Sequence, residues 1–339
     1  MEDFYRAFPK AELHRHLEGS LRLKTMLDIA RAHGITIPFG TGPLSSLVQV
    51  QGGEPFTYQN FLAKFNTLRM FYRSPEVIYR VTREAVEDAA RDNVRYLELR
   101  FTPVALSRAE RFPLHDVMDW VCGSARKAAQ EFNIQVALIA SVNRHESVEL
   151  AEQVAWLAAE RRECGILGLD LAGNEADFPA EPFLGVFREA KQAGLRLTIH
   201  AGEWGGAENV RAAVETLGAE RIGHGVRVLE DPSVVRMARE HKTVFEVCVT
   251  SNYQSGVVKS LADHPLMRML SAGLIVTLAT DDPSISQITL SDEYRRACED
   301  LGMPQETLKQ CTLAAVEASF LPQFEKEKLA AKFRKELAL

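Results

Sequence analysis

Short runs of Val, Ile and Leu recur along this chain, separated by longer stretches in which apolar residues return every three or four positions. Eight of the short runs predict strands: KAELHRHL, VRYLELRFTP, IQVALIASV, ILGLDLAG, RLTIHAGE, RIGHGV, VFEVCVTSN and LIVTLATDDP. Each closes in polar or turn residues. Helical periodicity fills most intervals, as in SVELAEQVAWLAAERREC and EPFLGVFREAKQAG, the second ending at Gly194. Strands alternating with helices predict parallel βα units, and eight units close a barrel. The pattern therefore predicts an α/β chain folded as a TIM-type (β/α)8 barrel. A doubly wound open sheet would carry a glycine-rich phosphate loop after its first strand, and none stands there.

One interval breaks the rhythm. Residues 21–92, between the first two strands, are too many for a single crossover. They include the helical patterns LKTMLDIARAHG and TYQNFLAKFNTLRMFY, which predict a lid-like helical insertion on the C-terminal face of the barrel. No internal repeat, low-complexity run or linker divides the chain, so residues 1–339 read as one domain.

Composition narrows the function classes. With 339 residues, 46% hydrophobic and 25% charged, the chain can bury a large core. A formal net charge of -6 offers no electrostatic case for nucleic acid or an anionic membrane as partner. There is no long apolar run, and MEDFYRAFPK lacks the apolar core of a signal peptide. Cys122, Cys164, Cys248, Cys298 and Cys311 are scattered, odd in number and without CxxC spacing. They read as reduced thiols of a cytoplasmic protein.

The candidate chemistry begins in AELHRHLEGS. On a strand His14 and His16 share a face, which suits half a metal site and equally suits polar residues at a strand–loop junction. The remaining predicted strand ends change the balance. They carry His200, with Glu203 three residues on, then His224, then Asp281 and Asp282. A parallel barrel delivers the last residues of distant strands to one pocket. Three neutral imidazoles and a carboxylate suit zinc or another first-row divalent metal. His33, His115, His145, His241 and His264 fall in helices or connections and carry no such signal; His264, before Pro265, reads as turn chemistry.

Taken in order, AELHRHLEGS, LDLAGNE, TIHAGE, RIGHGV, VTSN and TDDP resemble the adenosine deaminase family of the amidohydrolase superfamily, from Pro9 to beyond Pro283. The resemblance implies that His14, His16, His200 and Asp281 bind one zinc ion per chain, which activates a water for attack on C6 of a purine. It implies that Glu203 protonates ring N1, that His224 orients the water and assists proton transfer, and that Asp282 faces N7. It assigns the backbone N–H of Gly173 to N3, and Phe61, Leu62 and Phe65 of NFLAKF to an apolar pocket wall, where an amphipathic helix packing on the barrel would also place them. Trp204 reads either as pocket rim or as packing between barrel and helix.

The implied reaction is hydrolytic deamination of adenosine and 2′-deoxyadenosine. The alternative substrate is 6-aminodeoxyfutalosine of menaquinone synthesis, and from another class comes a nucleoside-binding barrel without turnover. Binuclear relatives in the superfamily use a lysine at the end of the fourth strand, and LGLDLAGNE offers none. Glu18 departs from the pattern: family members carry aspartate there, against the ribose 5′-hydroxyl, while glutamate occurs in relatives acting on other 6-aminopurines. His16 completes the expected substrate contacts.

Overall fold

The computed structural model describes residues 2–36 and 43–339. Its eight strands are β1 (Lys10–His16), β2 (Val94–Phe101), β3 (Gln135–Asn143), β4 (Ile166–Ala172), β5 (Arg196–Ala201), β6 (Arg221–His224), β7 (Val244–Val247) and β8 (Ile275–Leu278). They form one sheet in sequence order, parallel throughout. The seam closes beyond β8: the Asp281 N–H donates to the His14 carbonyl at 2.9 Å, and the His16 N–H donates to the Asp281 carbonyl at 2.8 Å. The predicted barrel is therefore what the chain forms, with its last rung made by residues of the candidate site.

Between β1 and β2 lie α1 (Leu23–His33), α2 (Leu44–Val48), α3 (Tyr58–Leu68) and α4 (Pro75–Arg91). Thr57 starts α3 by accepting the Asn60 N–H, and Ser74 starts α4 by accepting the Val77 N–H, with Pro75 in the first turn. Helix α4 buries Val77, Ile78, Val81, Ala85, Val86 and Ala89 at helical spacing, packing on β2 and on α5 (Leu114–Phe132). It thus serves as the outer helix of the first βα unit, and α1 to α3 are what that unit adds. The two other quoted helical patterns form α6 (Val148–Glu160) and α7 (Leu184–Gln192).

Two predicted strands are shorter than their apolar runs. In VFEVCVTSN the strand stops at Val247, and residues 249–254 turn into α8 (Val249–Gln254). The Glu293 carboxylate, on α9 (Leu290–Arg295), binds the Thr250 N–H and hydroxyl and draws that backbone out of the ladder. In LIVTLATDDP the strand stops at Leu278, and Asp281 adopts a left-handed φ of 63°.

Strand pleating explains the charges inside the apolar runs. On β2, Leu97, Leu99 and Phe101 alternate with Tyr96, Glu98 and Arg100, and the second set reaches across the barrel. Arg100 contacts Glu246 at 2.7 Å and Asp170 at 3.4 Å, while Arg221 contacts Glu246 at 2.6 Å and also pairs with Glu98. Phe320 closes the floor, its ring centroid 3.5 Å from the Arg221 guanidinium carbon and its N–H 2.6 Å from Glu98. Most barrels fill this space with branched apolar side chains. Here mutual pairing makes a column of buried ions tolerable.

Candidate active site

The ligand atoms of His14, His16, His200 and Asp281 all lie within 4.8 Å of one another at the C-terminal end of the barrel, buried. Asp281 Oδ1 is 3.1 Å from His14 Nε2 and 3.3 Å from His16 Nε2, and the Nε2 atoms of His16 and His200 are 3.2 Å apart. The outer ring nitrogens are committed elsewhere: His14 Nδ1 is 2.9 Å from Glu246, and His200 Nδ1 is 3.0 Å from Asp170. A carboxylate accepting at Nδ1 leaves the Nε2 lone pair aimed at the centre. Ser251 donates to Asp281 Oδ2 at 2.7 Å, leaving Oδ1 to the cluster. His14 Nε2 is buried without a hydrogen-bond partner, which leaves its lone pair free to serve a cation. The donor set fits a divalent metal of the zinc class.

Asp170 and Glu246 escaped the sequence reading. Their signal was a single acid inside an otherwise apolar strand, in LDL and in FEV. Burial alone would push both carboxyls up. Arg100 and Arg221 hold Glu246 well below the usual carboxylate range, and His200 and Arg100 do the same for Asp170.

Beside the cluster, His224 Nε2 is 3.6 Å from Glu203 and 3.8 Å from Asp281 Oδ2. Burial, reinforced by the charges of Asp281, Glu175 and Asp282, pushes Glu203 well above its usual range, so it keeps its proton. Burial, with Asp281 and Glu18 nearby, does the same to Asp282, whose Oδ1 has no partner. A side chain at Gly19 would collide with the Asp282 carboxyl, so the glycine makes room for it. Gly173 sits at φ 94°, a conformation that favours glycine, on the cavity wall.

His264 does more than turn chemistry. Its Nδ1 accepts the Leu266 N–H at 3.2 Å, so its proton is on Nε2, which donates to Asn252 Oδ1 at 3.3 Å. Asn252 Nδ2 then donates to His224 Nδ1 at 3.1 Å. This chain assigns the His224 proton to Nε2, facing the cluster, while burial keeps the ring neutral.

A cavity of about 520 Å³ opens over these groups. Phe61, Leu62 and Phe65 of α3 line it, with Glu18, Gly173, Glu203, His224 and Asp282. Trp204 fills both expected roles, lining the cavity and stacking on Tyr58 of α3 at 5.4 Å. His145 lies on the wall as well, whereas His33, His115 and His241 do not. Glu18 Oε1 accepts the Thr102 N–H at 2.6 Å, and Oε2 is buried without a partner. Glu175 of LAGNE, also missed in the sequence, accepts four consecutive backbone N–H groups, from Gly202 at 2.6 Å and from Glu203, Trp204 and Gly205 at 3.0 Å. It thereby ties the loop bearing Glu203 to the loop bearing Gly173.

Residues 9–336 match the family model described as adenosine deaminase. The chain belongs to the adenosine deaminase family. It is 38% identical over 331 residues to the adenosine deaminase of Klebsiella pneumoniae (strain 342), covering 97% of this chain and 98% of that one. A zinc-bound amidohydrolase from Burkholderia ambifaria superposes with a TM-score of 0.91 at 28% identity, covering 99% of this chain and 92% of that one. An Arabidopsis ADAL protein complexed with IMP does so at 0.88 and 28%, covering 99% of each chain. As a member of the adenosine deaminase family, the chain is a deaminase-type hydrolase of the amidohydrolase superfamily, with the His and Asp cluster of a metalloenzyme. No described helix is long and apolar enough to cross a membrane.

Proposed function

We propose that this chain hydrolyses the 6-amino group of a purine nucleoside, converting adenosine and 2′-deoxyadenosine to the 6-oxo products and ammonia, with one zinc per chain. The observation that carries the reading is one cavity end that brings together the four-residue cluster, Glu203 and His224, with burial pushing the Glu203 carboxyl up. Zinc held by His14, His16, His200 and Asp281 would supply an activated water as nucleophile near neutral pH.

The residues of the chain divide the remaining work. As the nucleophile's oxygen bonds to C6, the ring electrons move onto N1, and Glu203 delivers a proton there. His224, with its proton on Nε2, donates to the attacking oxygen and fixes its line of approach. The Asp282 carboxyl, kept protonated, donates to N7, and the Gly173 N–H meets N3. Phe61, Leu62 and Phe65 cover the purine face and displace water from it. One proton of the attacking water passes to the amino group as the C6–N bond breaks and ammonia leaves, the other replaces the proton that Glu203 gave to N1, and the 6-oxo purine remains. His16 and Glu18 complete the substrate contacts at the sugar. Five free cysteines suit a reducing compartment such as the cytoplasm.

Glu18 favours a second reading, in which the 5′ position bears a larger group, as in 6-aminodeoxyfutalosine. Its longer side chain is spent on the Thr102 N–H. Ammonia release by the zinc-loaded protein from adenosine, 2′-deoxyadenosine, adenine and 6-aminodeoxyfutalosine tests both readings. Turnover of the nucleosides and not of adenine is expected, and is lost in Glu203→Gln. Binding of nucleosides without ammonia from any of the four would instead make the chain a non-catalytic binding barrel.

A further inference from the structure

The cavity carries one charge for which the deamination chemistry has no use. Arg69, in the turn that follows α3, lines the same cavity as Glu18 and Thr102. It is half-buried, makes no ion pair among the described residues, and its Nε is buried without a hydrogen-bond partner. The acids around it are engaged apart from one Glu18 oxygen. Glu146 pairs with Arg108 at 2.6 Å and lies 3.3 Å from His145, and Asp177 accepts from Asn174 at 2.6 Å. One Glu18 oxygen holds the Thr102 N–H. A guanidinium left without a partner in a concave site matches a planar, bidentate anion.

Purine geometry says what meets it. With C6 at the metal cluster, N7 toward Asp282 and N3 toward Gly173, the sugar on N9 leaves between those two contacts. Gly19, next to Glu18, packs against the Asp282 carboxyl, and Arg69 shares the cavity wall with Glu18 and with Thr102, whose N–H Glu18 accepts. The 5′ carbon is the part of a nucleoside that extends furthest from the base. We propose that Arg69 is a specificity-determining residue that binds an anionic group, carboxylate or phosphate, carried on the 5′ side of the nucleoside. The proposal rests on the nucleoside deaminase reading and selects among its substrates: adenosine is accepted, and a 5′-anionic 6-aminopurine nucleoside is preferred.

The test uses the zinc-loaded protein, its Arg69→Gln variant and its Arg69→Lys variant. The kcat/KM for ammonia release is measured on adenosine, adenosine 5′-monophosphate and adenosine-5′-carboxylate. Titration calorimetry with inosine and inosine 5′-monophosphate gives a readout that needs no turnover. At least one of the two anions should be favoured over adenosine by about 10-fold or more, and which one identifies the anion. Arg69→Gln should cut that preference by about 10- to 100-fold in both rate and binding, and Arg69→Lys should restore part of it. Equal losses on neutral and anionic compounds, or wild-type preference for adenosine over both anions, would overturn it. Loss of ammonia release with an Arg69-dependent preference intact in calorimetry would support the anion site and reject the deaminase reading.

Discussion

Asp281 and Asp282 are neighbours in the chain, yet their surroundings push the two carboxyls in opposite directions. Burial raises both, yet His224, His14 and His16 pull Asp281 well below the usual range, while Asp281 itself helps to hold Asp282 protonated. Two carboxyls driven apart by their surroundings are the usual sign of divided chemical roles. His224 shows the same economy through hydrogen-bond direction. The N–H of Leu266 sets His264, His264 sets Asn252, and Asn252 sets His224. Asn252→Asp would place an acceptor opposite His224 Nδ1 and move the ring proton there. We expect kcat to fall by about 10²- to 10⁴-fold with little change in KM, the size of effect a wrong histidine tautomer has in the serine-protease triad. Nitrogen-15 shifts of labelled histidine would report the tautomer directly. An unaltered tautomer in this variant would reject the relay.

At the scale of elements, α8 and α9 meet through Glu293 and Thr250, and that contact is pH-sensitive. Burial raises the Glu293 carboxyl from its usual 4.5 to about 7. A folded-state pKa above the unfolded one means that the folded chain holds the proton more tightly. Its stabilising contribution is complete below pH 4.5 and is lost as pH rises through 7, an effect on the order of 3 kcal/mol. Glu293→Gln cannot titrate, so its stability relative to wild type should improve between pH 5 and pH 8 by about that amount in urea unfolding. A pH-independent difference would refute the assignment. The same region shows what the sequence could and could not disclose. Apolar runs located all eight strands, because each must bury one face under helices whatever its neighbours do. Where β7 stops was hidden, since it is decided by a carboxylate some forty residues later in the chain. The strand-end histidines could be grouped from topology alone. Asp170 and Glu246 could not, because their meaning depends on which face of the pleat looks inward.

For the whole molecule, the metal cluster joins the two ends of the sheet. His14 and His16 come from β1 and Asp281 from the segment that closes the seam after β8, with His200 across from both on β5. A divalent ion held there would act as a cross-link between the first and last strands, and a ligand that binds only the folded state stabilises it. Removal of the metal with a chelator should lower Tm by about 5 °C or more and speed amide exchange in residues 10–16 and 279–282, both reversed by zinc. Exchange that rises evenly over all strands, or an unchanged Tm, would rule out the seam as the place where the metal acts.

The column of ions from Phe320 to His14 also has a consequence for biosynthesis. A chain emerges from the ribosome N-terminus first, so β1 with its two histidines leaves ahead of the other seven strands. Its edge partner after β8, Asp281, and the aromatic floor beneath Arg221 all follow only after the intervening strands have been made. The four-residue centre is complete only once the segment after β8 has been made. Loading of a metal there is expected only after that point, and until then the first strand keeps one edge unpaired.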